Sequence, residues 1–296
     1  MPTATTILTD EQREHFLSRG HVVIRGAFSR DVAKEWFDWG YERIGCDPYD
    51  ASTWTAPRIH LAGTKHADVR EFAPLAYEAI NELCGDGRAQ EPLQWGDTFI
   101  FNHGFGADEP WKSPQEQMDG WHKDGDFFRH FLNSPEQGLL VIVVWSEIQH
   151  QGGGTFIACD SVPIVARYLA ERPEGVLPNG FPFREFKEQC RDFQEVTGEP
   201  GDVVLLHPFV LHTISQNVTM RPRVITNPPV HLREPMILSR PDGGYSLVEQ
   251  AILRALDVDH YDFQPTAERE RLVPDRVRIQ QEALAAEKAR RGVDAD

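Results

Sequence analysis

Three copies of one short pattern raise the question of a metal site. His66-Ala67-Asp68, His122-Lys123-Asp124 and His260-Tyr261-Asp262 each set an imidazole and a carboxylate two residues apart. Side chains alternate faces along an extended segment, so positions two apart share a face and can reach one ion. The pattern is common, and context must choose among the copies. His260 has no histidine after it and lies in a turn-like stretch, "LDVDHYDF". His66-Ala67-Asp68 runs into a helix-like segment. There Asp68 has a structural task, accepting free N–H groups of the first turn, and helical geometry would point His66 and Asp68 apart. His122-Lys123-Asp124 instead follows a loop and leads into strand-rich sequence, with Lys123 directed away.

A third ligand must come from a distant strand facing the same interior. "DVVLLHPFVLHTIS" holds two histidines. His207 follows four apolar residues and reads as a structural core histidine. His212 lies past a turn at Pro208, on a new strand, and completes a set of two imidazoles and one carboxylate. That set suits non-haem Fe(II). One carboxylate leaves the ion with net positive charge, and three ligands on one face leave room for a bidentate cosubstrate and O2. Zinc with three protein ligands and a water fits the same residues. Arg223, one hairpin beyond His212, offers a guanidinium that can hold a carboxylate through paired N–H donors. 2-Oxoglutarate makes that demand: its keto-acid end chelates a metal while its far carboxylate needs a cation. Arg221 competes for this role, and a solvated basic cluster would explain either arginine without it.

The elements that position these residues are legible in outline. Residues 9–20 read as a short helix with a Thr9/Gln12 capping box and a stop at Gly20. Residues 21–28 read as a strand, 29–45 as an amphipathic helix from Ser29, and 68–84 as a helix distorted at Pro74. From about residue 93 the period becomes β-like, in short segments separated by Gly, Pro and Asn turns. These are "LQWGDTFIFN", "GLLVIVVWSEI", "GGGTFIAC", "GDVVLLHPFVLHTIS" and "RPRVITNPPVHL". Residues 161–173 form a helical insert, and the charged C-terminal segment reads as helix. The expectation is one domain over 1–296: a helical part at about 9–90, a β core at about 93–235 and a helical tail at about 245–290. Strands grouped in mid-chain imply a sandwich or barrel with helical cover.

Composition narrows the partners. With a net charge of −16 over 296 residues, the chain repels phosphate backbones, so nucleic acid is not expected as a partner. Four cysteines without a CxxC pair suggest neither a zinc ribbon nor a disulfide framework. The start has no signal-peptide pattern, and the longest apolar run, "GLLVIVVW", is too short to span a bilayer. A cytoplasmic protein without membrane contact, acting on a small molecule, is the expectation.

The segments "WHKD" (121–124), "QGGGTFI" (151–157), "GDVVLLHPFVLHTISQN" (201–217) and "RPRV" (221–224) together resemble the phytanoyl-CoA dioxygenase family of Fe(II)/2-oxoglutarate-dependent oxygenases. The resemblance covers roughly 10–235 and rests on the order of the pieces and the histidine-to-arginine gap. It implies a mainly β fold, a double-stranded β-helix of jelly-roll or cupin-like type, with helices packed outside. It implies His122, Asp124 and His212 as iron ligands and Arg223 as the clamp for 2-oxoglutarate. The activity implied is hydroxylation of a small metabolite, with O2 consumed and 2-oxoglutarate decarboxylated to succinate and CO2. The same cofactors also serve desaturation, cyclisation or epoxidation in natural-product biosynthesis. A non-catalytic metal-binding jelly roll and a zinc hydrolase are the readings from other classes. After the glycine-rich turn the family commonly has a Pro-Gly-Ser-His-like segment, where this chain has "ACDSVPIV" (158–165). Asp124 is intact, which disfavours halogenation.

Other residues are assigned around this centre. Asn102 is a candidate donor to the 2-oxoglutarate carboxylate near the iron, and equally a turn residue. Thr213 is a candidate hydroxyl beside Arg223. Trp121 and Phe127 flank the metal motif as walls or core. Trp121, Asp126, Arg129 and His130 are the substrate candidates: Asp126 for a basic group, Arg129 for a carboxylate. The long loop 104–120, with Trp111 and Lys112, reads as a lid. The acidity disfavours a coenzyme-A thioester and favours a free small molecule.

Overall fold

The computed structural model describes residues 6–292. The chain opens with α1 (Asp10–Arg19), β1 (His21–Ile24) and α2 (Arg30–Ile44). Thr9 and Gln12 form the reciprocal capping box of α1, and Gly20 closes it at φ 72°. Ser29 accepts the Val32 N–H at the start of α2, and Gly45 ends that helix in the left-handed region. Next come β2 (Arg58–His60), β3 (His66–Asp68), α3 (Val69–Phe72), α4 (Pro74–Cys84), β4 (Gln94–Gly96) and β5 (Ile100–Asn102). The helix expected over 68–84 is thus two. Pro74 has no N–H to continue the first, and it starts the second.

The strand-rich half holds β6 (Leu139–Val144), β7 (Thr155–Ala158), α5 (Val162–Ala170), α6 (Phe183–Gln189), β8 (Phe193–Glu195), β9 (Val203–Leu206), β10 (Leu211–Ile214), β11 (Arg223–Thr226) and β12 (Pro229–Val230). Two helices close the chain, α7 (Leu247–Leu256) and α8 (Asp275–Arg291). A major sheet runs β1-β9-β6-β11-β5-β2, with β12 also on β6; a minor sheet runs β10-β7-β8, and β3 pairs with β4. Every pairing of these strands is antiparallel.

The fold is therefore mixed, with antiparallel sheets and flanking helices. The expectation of a mainly β chain needs correction, because the helices hold more residues than the strands. The strands are short, and α6 and β8 lie in a stretch to which the sequence assigned no element. No helix among the described residues is long and apolar enough to cross a membrane. All four cysteines are free and buried.

Aromatic packing fastens the helical half to the major sheet. Trp36 of α2 stacks on Trp145, just past β6, at 4.9 Å between centroids, and Phe28 meets Trp145 at 5.0 Å. Phe72 of α3 packs against both Trp36 and Phe28. Buried Arg43 of α2 ties the far end of the chain to this core. It pairs with Asp97 at 3.0 Å and with Glu287 of α8 at 2.8 Å.

Two buried histidines set a pH dependence. His207 accepts the Phe209 N–H through Nδ1 and donates from Nε2 to the Val248 carbonyl, which gives it the structural task its sequence suggested. Burial holds His207 down at about 3 and His21 at about 4. Both stay neutral in the fold, while the unfolded chain protonates each near pH 6.5. The unfolded state then binds more protons, so stability falls as pH drops from about 6.5 towards 4, by about 1.4 kcal/mol per pH unit for each histidine. Urea unfolding at pH 6.5 and 5 should show this decline, and His207→Gln should reduce it by about 1 kcal/mol or more. An unchanged pH slope in His207→Gln would contradict the assignment.

Candidate active site

His122 and His212 come together through the backbone. Each donates its N–H to the other's carbonyl, at 3.0 Å and 2.8 Å, forming an antiparallel bridge. His212 is anchored in β10, which pairs with β7 and places it opposite Ile157. Two residues on, at a bend in the chain, Asp124 brings its carboxylate to the same side. At Gly125 the chain turns, with φ 117°. A Cβ there would sit 2.6 Å from His130 and Phe128, so the turn needs glycine.

The side chains then converge. Asp124 Oδ1 lies 3.4 Å from His122 Nε2 and 3.5 Å from His212 Nε2. The Nδ1 of His122 donates to the Gly120 carbonyl at 2.7 Å, and that of His212 to the Val210 carbonyl at 3.2 Å. These bonds fix the ring orientations and turn both Nε2 atoms towards Asp124. Asn227 donates to Asp124 Oδ2 at 3.1 Å, holding the carboxylate so that Oδ1 faces the imidazoles. Burial opposes ionisation of Asp124, but the His212 charge and the hydrogen bonds from both histidines outweigh it and hold the carboxyl well below its usual range. Burial likewise opposes the charged form of His122, yet Asp124 and the Gly120 carbonyl raise it.

The ligand atoms of His122, Asp124 and His212 lie within 4.8 Å of one another. Donors about 2.1 Å from a shared ion stand about 3.0–3.4 Å apart, close to the spacings here. The donor set thus fits a divalent transition metal. His66 and Asp68 do not join it. They lie on a strand, β3, rather than diverging on a helix, and Asp68 caps the Arg70 N–H. His260 lies in an exposed stretch.

The cluster opens onto a cavity of about 580 Å³ between the two sheets. Ile100 and Ile225 of the major sheet and Thr155 and Ile214 of the minor sheet contribute to its wall. Arg223 of β11 also lines it and is 2% exposed. Its Nε donates to the Gly153 carbonyl at 2.7 Å and its Nη1 to the Ile100 carbonyl at 3.3 Å. Burial, aided by the nearby charge of Arg58, pulls its pKa down to about 9. It forms no ion pair with any carboxylate among the described residues. The glycine-rich turn explains part of this setting. Gly153 has φ 80°, and a Cβ there would collide with the Asn102 amide at 2.5 Å. Arg221 is exposed and reaches outward to Glu147 at 3.6 Å, so the cavity selects Arg223 from the two arginines.

The remaining expected residues divide. Thr213 and Asp126 line the cavity. Asp126 is already engaged by Arg276 of α8, at 2.5 Å and 2.7 Å. Asn102 is fully buried and turned into the wall. Its carboxamide donates to the Ser215 carbonyl and accepts the Phe105 N–H, as a turn residue does. Trp121 is buried against Phe193 with Nε1 on the Gln117 carbonyl. Arg129 pairs with Glu270, and His130 is buried beside Lys123 Nζ at 2.6 Å. None of these last four lines the cavity. The loop 104–120 does not line it either. Gln216 pins that loop by accepting from Lys112 N–H and donating to the Gly106 and Pro110 carbonyls. Sequence reasoning did not single out Asn227, Arg58 and Arg276, which other strands and α8 bring to the cavity wall.

No family model and no curated protein matches the chain. Among solved structures, EctD from S. alaskensis with bound Fe is similar at 18% identity, covering 90% of each chain with a TM-score of 0.48. The epimerase SnoN in complex with Fe3+, alpha ketoglutarate and nogalamycin RO is similar at 15% identity over 90% of this chain and 96% of that one, TM-score 0.45. HygX from Streptomyces hygroscopicus with nickel and 2-oxoglutarate bound is similar at 18% identity over 74% and 85%, TM-score 0.39. These are likenesses only, and the chemistry rests on the side chains.

The Asn227 contact gives a direct test of the cluster. Asn227→Ala should weaken Mn(II) binding by about tenfold or more, because a ligand's hydrogen-bond partner fixes its orientation. Asp124→Ala should abolish binding. Titration followed by the loss of the free Mn(II) electron-spin resonance signal measures both, and wild-type affinity in both variants would contradict the site.

Proposed function

We propose that this chain is an Fe(II)- and 2-oxoglutarate-dependent oxygenase of a small molecule, of the phytanoyl-CoA dioxygenase type. The observation that carries the reading is Arg223: a buried guanidinium without a carboxylate partner among the described residues, in the cavity that holds two imidazoles and a carboxylate. A zinc hydrolase would have no use for it. A cavity between two antiparallel sheets suits a double-stranded β-helix, and we take 1–296 as one such domain.

In this reading His122, Asp124 and His212 hold the metal on one face. Arg223 takes the far carboxylate of 2-oxoglutarate, with the Thr213 hydroxyl beside it. The Gly153 and Ile100 carbonyls fix the guanidinium before the cosubstrate arrives, so little order is lost on binding. Asn102 positions from behind, bracing the turn that carries Gly153. The isoleucines of the wall keep water from the reacting centre. When bound, Fe(II) with 2-oxoglutarate and O2 supplies the oxidising step, and 2-oxoglutarate leaves as succinate and CO2. Hydroxylation, desaturation, cyclisation and epoxidation use the same ligand set, and the pose of the substrate over it selects the outcome.

Protein supplied with Fe(II), 2-oxoglutarate and O2 should form succinate. Arg223→Gln should raise the 2-oxoglutarate KM by about tenfold to a hundredfold through loss of charge-assisted hydrogen bonds. Arg221→Gln should leave it within about twofold, as an exposed ion pair contributes little. Succinate assays over a 2-oxoglutarate series read all three. No succinate together with no 2-oxoglutarate binding would refute the reading, and an effect at Arg221 alone would refute the clamp.

A further inference from the structure

A second guanidinium serves the same cavity. Arg58 of β2 pairs in register with Asn102 of β5, which pairs on its other side with Arg223 of β11. Residues directly opposite on neighbouring antiparallel strands project to one face, and strands lie about 4.8 Å apart. Arg58 and Arg223 therefore sit on one face, with backbones about 10 Å apart. Both line the cavity, Arg223 deep and Arg58 exposed. Arg58 Nε donates to His60 Nε2 at 2.9 Å. This bond orients the guanidinium plane and leaves both Nη groups without a partner among the described residues.

No protein carboxylate of the cavity is available to Arg58. Asp124 and Asp126 are the two that line it. Asp124 faces the histidines, and Asp126 is held by Arg276. The charge balance agrees. Arg58, Lys123, Arg223 and Arg276 line the cavity against those two carboxylates, in a chain of net charge −16. A divalent metal and a 2-oxoglutarate dianion cancel each other. Arg276 cancels Asp126, and Arg223 offsets Asp124. Lys123 is turned into the core against His130. Two cations are left, Lys123 and Arg58, and Arg58 is the one whose Nη donors have no partner among the described residues.

We infer that Arg58 reads the substrate: a small carboxylic acid whose carboxylate sits on the Arg58 Nη donors while the carbon to be oxidised faces the metal cluster. One guanidinium matches the single charge of a carboxylate better than a phosphate dianion, and its paired donors fit a planar group. This also replaces Arg129, which is committed to Glu270 outside the cavity, as the carboxylate-reading residue. The inference rests on the oxygenase reading, because it assigns Arg223 to the cosubstrate and leaves Arg58 for the substrate.

The test is calorimetric binding to full-length protein loaded with Mn(II) and 2-oxoglutarate, which needs no turnover. The probes are hexanoate, phenylacetate and cinnamate, each against its primary amide. At least one acid should bind, with its amide weaker by about tenfold or more. Arg58→Gln should remove that preference while 2-oxoglutarate affinity stays within about twofold, since the two guanidinium groups serve different ligands. Arg58→Lys, which keeps the charge but loses the fork, should retain part of the preference. Equal binding of acids and amides, no acid binding to the loaded wild type, or an undiminished preference in Arg58→Gln would overturn the proposal. So would weakened 2-oxoglutarate binding in Arg58→Gln with the acids unaffected, because Arg58 would then belong to the cosubstrate clamp. If Mn(II)-loaded wild type fails to bind 2-oxoglutarate at all, the oxygenase reading falls first.

Discussion

Two reciprocal backbone hydrogen bonds between His122 and His212 hold the site together. They join a segment with almost no regular structure to a strand of the minor sheet, and they fix the distance between the two imidazoles. The ring bonds to the Gly120 and Val210 carbonyls follow from that placement, and so does the position of Asp124 between the two Nε2 atoms. The geometry for a metal thus exists in the protein alone, with the three donors already oriented towards one another.

A second constraint comes from the major sheet. Arg223 is buried among carbonyl oxygens and has no carboxylate partner among the described residues, a costly arrangement for a fold that needed only stability. The cost is understandable if an anion completes the site. Burial of a charged group aimed into a cavity beside two imidazoles and a carboxylate is a mark of function more than of packing. The sheet register extends the same logic outward: Arg58, Asn102 and Arg223 form one row, with cations at both ends and a bracing amide between.

Much of this was legible in the sequence, for stated reasons. The capping residues Thr9, Ser29 and Asp68 act through neighbours two or three positions away, so the pattern carries the structure. The grouping of His122, Asp124 and His212 was legible because the first two are local and His212 sits on a strand with clear apolar flanks. Arg223 was separable from Arg221 only by burial. Asn227, Arg58 and Arg276 carry no local signal. Asn227 and Arg276 meet partners far along the chain, Arg58 is placed by the pairing of β2 with β5, and contacts with Glu42, Arg43 and Asp126 hold α8 at the cavity. Asn102, Trp121, Arg129 and His130 were plausible by proximity in sequence, but each side chain is spent on a structural contact instead.

The central claim is that both imidazoles bind one ion. X-ray absorption fine structure on anaerobic Fe(II)-loaded protein tests it most directly, because imidazole rings give a distinct outer-shell pattern around iron. The account predicts two imidazoles per iron in the wild type and one in any iron that His212→Ala retains. A wild-type spectrum without histidine, or one unchanged by His212→Ala, would contradict it.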